Sequence, residues 1–335
     1  MKLVFLKILS NKNWSDAIDC LAQEFSVLCH EHDIEFKLIE LSGVSLRNIF
    51  LIAHVEQRKD IIYVVNHSMC LWNLLFAKLL TCRVRGGRVY SLSHEGEVKF
   101  SFRDKMAVKG VRKKIGNLIR GAWLYHSIPQ LISHKTYFLS ELYVGSIFTR
   151  NALSVNFLGS KLNHAFIRPG FTDYNTFGEG SFSVVFPHDI SRPDKGFGFF
   201  KKTSINDKVK VFYPVNCKHS DMINLYGLSD VVVIPTISYE TYSLALVEAL
   251  SLNKIIFASS RMGLANTLYN KYGYHRLKDD GIFISDVANF ENVFLEMLNF
   301  IGSGGVSNSK YYYTKEKLDP KSASKMLFND IMGSI

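Results

Sequence analysis

The chain has 335 residues, of which 47% are apolar and 21% charged, and a formal net charge of +10. That apolar content excludes a disordered chain, and the length suits two domains of ordinary size better than one core. The positive excess favours anionic partners: nucleotide phosphates, acidic lipid surfaces or nucleic acid.

Met1–Leu9 reads as a first buried strand; Lys7 interrupts the apolar run and no small-residue cleavage site follows it. A helix is predicted over Ser15–His30, with Ile18, Leu21, Ala22, Phe25 and Leu28 on one side. Strands follow at Phe36–Leu41 and Ile61–Val65, a helix at Leu71–Leu80, and a strand at Arg88–Leu92. Strands alternating with helices imply βαβ units and a parallel sheet.

Residues 169–180, with Pro169, Gly170, Gly178 and Gly180, read as an interdomain linker. The alternation restarts with strands at Phe182–Phe186, Val209–Tyr213, Val231–Ile234, Ile255–Ala258 and Gly281–Ile284. The expected architecture is α/β: two Rossmann-like domains, 1–168 and 181–314, facing each other across a cleft. A C-terminal helix over 315–335 is placed to pack back on the first domain. Five cysteines, an odd number without a Cys-x-x-Cys pair, speak against a disulfide framework or zinc site and for a reducing compartment. No stretch reaches about 18 uninterrupted apolar residues, so membrane contact is expected to be peripheral.

Parallel sheets bind ligands beyond the carboxyl ends of their strands, which directs attention to the segments after each strand. Val231–Asn253 is the most informative. A buried strand ends at Pro235, a polar loop follows, Ser243 is a good helix N-cap, and Asn253 tolerates the left-handed conformation that ends a helix. Seven residues separate Glu240 from Glu248. On one helix these would stand about 12 Å apart along the axis and about 80° apart around it. A glycosidase acid–base pair needs about 5–9 Å. A loop glutamate and a helix glutamate instead suit two separate hydroxyl-bearing parts of one long ligand. Surface glutamates on a helix are the plain alternative.

Pro235 to Ala258 resembles the signature of family 4 glycosyltransferases, retaining enzymes of GT-B fold. The matching residues are Asp230-Val231, Pro235-Thr236, Glu240, Glu248-Ala249 and Asn253-Lys254-Ile255-Ile256. By that resemblance Glu240 contacts the donor sugar and Glu248 holds the ribose. The family has glycines after the first glutamate; Thr241, Tyr242 and Ser243 stand there in this chain. Backbone amides at those positions approach sugar or phosphate, and side chains there are expected to narrow the pocket.

Val184–Gly196 opens a strand into a loop with Arg192 and Lys195, similar to the Arg/Lys-Gly loop of the same family. An enclosed diphosphate needs cations: Arg supplies a fork, Lys a point charge, and both offset charge on the leaving nucleotide. His94, at a strand end, resembles the first-domain histidine that faces the donor sugar; His67 is the weaker alternative. Ser10–Asn13 receives no role. No Asp-x-Asp triplet occurs, so the resemblance implies a metal-independent hexosyltransferase without a cofactor, using a nucleotide-diphosphate sugar linked to UDP or GDP.

Lys99–Arg120 is the most basic segment, with Lys105, Lys109, Arg112 and Lys113 among eight basic residues against Asp104. One reading is a solvated helix with a single core face. The other is a patch for anionic lipid, at about 1 kcal/mol per basic residue. The expectation is therefore a cytoplasmic enzyme, peripheral on the inner face of the cell membrane, acting on a glycan or lipid-linked acceptor in surface polysaccharide synthesis. The rivals are a GT-B nucleotide-sugar epimerase and a basic nucleic-acid-binding protein.

Overall fold

The computed structural model of the chain describes residues 1–9, 15–42, 60–67, 79, 84–93, 132–138, 152–154, 174–215, 222–238, 240 and 242–334. The chain forms two compact units. One comprises Met1–Leu158 with Pro320–Ile335, the other Gly159–Asp319.

In the first unit β1 (Lys2–Leu9), α1 (Ser15–Glu31), β2 (Glu35–Ser42), β3 (Ile61–His67), β4 (Arg88–Ser93), β5 (Lys135–Phe138) and β6 (Ala152–Ser154) follow in chain order. The strands form one parallel sheet in the order β2-β1-β3-β4-β5-β6. Leu3–Leu6 and Ile61–Val65 are buried without alternation, the pattern of strands covered on both faces. Lys7 is buried as well, and its ammonium reaches Glu40 on β2 at 3.0 Å. The helix α1 buries Leu21, Ala22, Phe25, Leu28 and Cys29. Asp33, at φ +54°, then turns the chain into β2.

The helix Pro320–Gly333 returns to this unit and packs on α1, where Phe328 meets Phe25 edge-on at 5.8 Å. Its Asp330 accepts from Lys135 Nζ (2.6 Å) and from the Tyr137 hydroxyl (2.5 Å). Beyond the helix, Ser334 bonds the hydroxyl of Tyr90 and the guanidinium of Arg88. The C-terminal segment is thus tied to β4 and β5.

The second unit contains β7 (Tyr174–Phe177), β8 (Phe182–Val185), β9 (Val209–Pro214), α2 (Met222–Tyr226), β10 (Val231–Ile234), α3 (Leu244–Ser251), β11 (Ile255–Ser259), α4 (Gly263–Tyr272), β12 (Ile282–Ser285) and α5 (Phe290–Gly302). Its sheet runs β12-β11-β10-β8-β9-β7, parallel except for β7, which pairs antiparallel with β9. β7 falls inside the segment that reads as linker. The core on one side of the sheet is aromatic: Phe199 stacks on Phe257 at 5.9 Å, and Phe290 and Phe294 pack edge-on against both.

Of the predicted helix Leu71–Leu80, only Leu79 lies among the described residues, where it is helical and buried.

Candidate functional site

Strand order decides where the second unit can hold a ligand. β8 has β9 on one side and β10 on the other. The chain leaves β8 for β9 and then crosses back to β10, so the loops leaving β8 and β10 diverge. In parallel sheets that divergence opens the ligand crevice. The two loops here are Pro187–Gly196 and Pro235–Ser243, which carry most of the predicted site.

The loops are fastened together by backbone. The Asp194 carbonyl accepts from the amides of Ile237 (3.0 Å) and Ser238 (3.3 Å). Gly196 adopts φ +82° directly under Pro235, whose carbonyl oxygen a Cβ would strike. The neighbouring Lys195 is thereby directed into the crevice. Its side chain is 9% exposed, and its ammonium stands 2.9 Å from Glu240 Oε2, on a side chain 22% exposed.

Glu240 is held in turn by the segment after β11. Its amide donates to the Arg261 carbonyl (3.1 Å), and its own carbonyl accepts from the Gly263 amide (2.9 Å). The Arg261 guanidinium also donates to the Ile237 carbonyl. Loops from three neighbouring strands therefore fix one lysine–glutamate pair.

Arg192 sits on the same loop as Lys195 but is exposed, and its guanidinium forks onto Asp194 at 2.7 and 3.3 Å. Burial opposes ionisation of Asp194. The Arg192 hydrogen bond and the charges of Arg192 and Lys195 outweigh it and hold the carboxyl below its usual range.

Glu248 is no surface helix residue. It lies on α3, 3% exposed, and its Oε2 accepts from the hydroxyl of Tyr226 at 2.8 Å. Ser243 caps α3, its hydroxyl accepting from the Leu246 amide at 3.4 Å, and Tyr242 is buried beside it. Both side chains are thus turned into the protein. Burial, and then the neighbouring Tyr313, push the Tyr242 phenol up. Among the described residues its hydroxyl and the buried Thr236 hydroxyl have no hydrogen-bond partner.

His94, Thr241 and the basic residues Lys105, Lys109, Arg112 and Lys113 lie outside the described residues. The site also contains residues that sequence reasoning missed. His188 follows β8, and its Nε2 is enclosed without a hydrogen-bond partner among the described residues. Burial first, then the charges of Lys195 and Arg192, push its pKa from 6.5 down to about 3. Arg261 and Tyr226 were likewise unmarked. The signal for His188 was its place at a strand's carboxyl end. Among the described residues no group of three or more His, Cys, Asp and Glu side chains is placed to hold a metal ion.

Residues 198–284 match the family model described as glycosyl transferases group 1, a span running from just past the first loop into β12 and including Glu240 and Glu248. Two structures align end to end with this chain. A glycosyltransferase from Rickettsia africae is 13% identical over 99% of both chains, with a TM-score of 0.61. HepE from Anabaena, solved in complex with UDP, is 12% identical over 100% of both, with a TM-score of 0.58. The chain has the GT-B fold. An alpha-glucosyltransferase in complex with UDP and a 13-mer DNA shares this GT-B likeness at 10% identity over 99% of this chain and 100% of its own, with a TM-score of 0.54. At these identities the likeness is one of fold. No curated protein matches the chain.

Proposed function

We propose that the protein is a glycosyltransferase that moves a sugar from a nucleoside diphosphate sugar onto a glycan or lipid-linked acceptor. The observation that carries this reading is the Lys195–Glu240 pair at the strand-order switch, beside a segment that matches group 1 glycosyl transferases. A nucleotide sugar presents an anionic diphosphate next to a ring of hydroxyls. A lysine and a glutamate 2.9 Å apart suit that junction. The ammonium has three donors, enough for Glu240 and a phosphate oxygen together. Glu240 accepts from sugar hydroxyls, and Glu248 from the ribose.

As the glycosidic bond breaks, charge grows on the departing diphosphate. Lys195 offsets it from a fixed position, and Arg192 joins when the diphosphate competes with Asp194 for its fork. No metal is given a part in this scheme. The retaining course, with acceptor attack from the face that the diphosphate leaves, follows from the family 4 resemblance of Pro235–Ala258. His94 is assigned to the donor sugar on the same ground. UDP is the first nucleotide to try, because two structures of like fold hold it. Lys105, Lys109, Arg112 and Lys113 are assigned to an anionic membrane surface and the product to surface polysaccharide.

The test is a panel of nucleotide sugars, read first by thermal shift and then by transfer. Bound donor raises the unfolding temperature. Glu248→Ala is expected to weaken nucleotide binding, and Glu240→Ala to slow transfer while leaving nucleotide affinity near wild type. Equal nucleotide affinity in wild type and Glu248→Ala removes the ribose assignment. Isomerisation of the donor without any acceptor would make the protein an epimerase instead.

A further inference from the structure

A carboxylate buried as deeply as Glu248 keeps one orientation only if a neighbour holds it. Tyr226 is one such neighbour. It closes α2, on the crossover from β9 to β10, and its side chain is fully buried. The hydroxyl donates to Glu248 Oε2 at 2.8 Å and also lies 3.5 Å from the Ala245 carbonyl, so it spans the start of α3. Burial, followed by the Glu248 charge, raises the phenol pKa well above its ordinary value. Tyr226 is therefore a permanent donor and never a second anion beside the carboxylate.

Ribose recognition is demanding in direction. Two vicinal hydroxyls must both meet one carboxylate, which fixes the plane of the carboxylate as well as its place. A glutamate side chain free to rotate would lose rotamer entropy at each binding event. With Oε2 pinned, that freedom is lost during folding instead.

We propose that Tyr226 is a positioning residue for the nucleotide: its hydrogen bond to Oε2 aims the Glu248 carboxylate at the ribose hydroxyls of a nucleoside diphosphate. The inference rests on the assignment of Glu248 to ribose made above.

Calorimetry with UDP and GDP, and with their 2′,3′-dideoxy counterparts, tests it on wild type, Tyr226→Phe and Tyr226→His. Urea unfolding of each variant checks the fold. Wild type is expected to prefer the ribose form of the nucleotide it binds. Tyr226→Phe is expected to bind that form about tenfold more weakly, as for one lost hydrogen bond to a charged group, with dideoxy affinity unchanged. Tyr226→His keeps a ring donor and is expected to retain part of the preference. A Tyr226→Phe protein that keeps the preference overturns the positioning role and leaves the nucleotide reading standing. So does one that weakens both sugar forms alike, or a Tyr226→His protein no better than Phe. A wild type that binds neither ribonucleotide overturns both.

Discussion

Lys195 and Glu240 come from loops that follow different strands, yet their charged atoms stand 2.9 Å apart in a nearly enclosed place. Neither loop sets that distance alone. Asp194 fastens the first loop to the second, and Arg261 and Gly263 fasten the second to the end of β11. The pair is therefore a property of the sheet's strand order.

Removing both members should cost less than the sum of removing each. Lys195→Met leaves Glu240 Oε2 enclosed without its cation, a loss of about 1–3 kcal/mol, toward the lower end because Glu240 is partly exposed. Glu240→Gln strands the ammonium in the same way. The double variant is expected to recover about 1 kcal/mol relative to the sum. Urea unfolding of the three proteins measures this, and strict additivity would show that the pair is uncoupled. Lys195→Met should also lower the transfer rate by roughly 10²–10³-fold, as for a lost preorganised charge.

Gly196 and Gly198 offer a matched comparison. Gly196 adopts φ +82° against the Pro235 carbonyl, whereas a Cβ on Gly198 meets nothing within 4 Å. Gly196→Ala is expected to cost at least about 2 kcal/mol, from left-handed strain of about 1–2 kcal/mol and displacement of the Pro235 loop. Gly198→Ala is expected to be within about 0.5 kcal/mol of wild type. Denaturant midpoints decide it. Equal midpoints would mean that the two loops are not held as described.

His188 should give the protein an acid-labile side. Its folded pKa of about 3 lies below the ordinary 6.5, so the unfolded chain takes up a proton over that interval and the folded protein does not. The stabilisation is complete above pH 6.5 and is lost as pH falls toward 3. The slope is at most about 1.4 kcal/mol per pH unit. His188→Gln removes the titration. Its stability should fall less steeply than wild type between pH 6.5 and the acid limit in parallel urea titrations, and identical slopes would refute the assignment.

The membrane assignment has its own test. Wild type is expected to sediment with vesicles containing anionic lipid at low salt and to be released at molar salt, where screening shortens to about 3 Å. Changing Lys109, Arg112 and Lys113 together to Glu should abolish sedimentation. Wild type that ignores such vesicles ends the membrane assignment and leaves the transferase reading intact. Competition with duplex DNA separates lipid from nucleic acid as the preferred partner.

Much of the second unit was legible because its signals are local. Val231–Ile234 is apolar at every position and buried at every position. Ser243 caps α3, and Asn253 takes φ +55° after it. Glycine and proline around β7 concealed a strand that, among the described residues, pairs with β9 alone, since edge pairing leaves little hydrophobic pattern. β6 is too short to show any. Tyr226, His188 and Arg261 escaped notice for a different reason. Tyr226 matters through Glu248 and Arg261 through the Ile237 carbonyl, neighbours distant in sequence, whereas His188 matters through its enclosure beside Lys195 and Arg192. The identity of the residue carries no trace of that pairing. Arg192 was visible as a cation, but its occupation by Asp194 was not.

The return of Pro320–Gly333 to the first unit has a consequence for the order of events at the ribosome. Domains usually mature in the order in which they are synthesised. Here the second unit, continuous from Gly159 to Asp319, is wholly synthesised before the first has its last helix. Until Phe328 emerges, Phe25 on α1 has Phe5 of β1 against it but lacks its second aromatic neighbour, and until Asp330 emerges, Lys135 and Tyr137 lack their shared carboxylate. The nascent chain therefore carries an uncovered α1 face through most of its synthesis, a natural place for a chaperone to act.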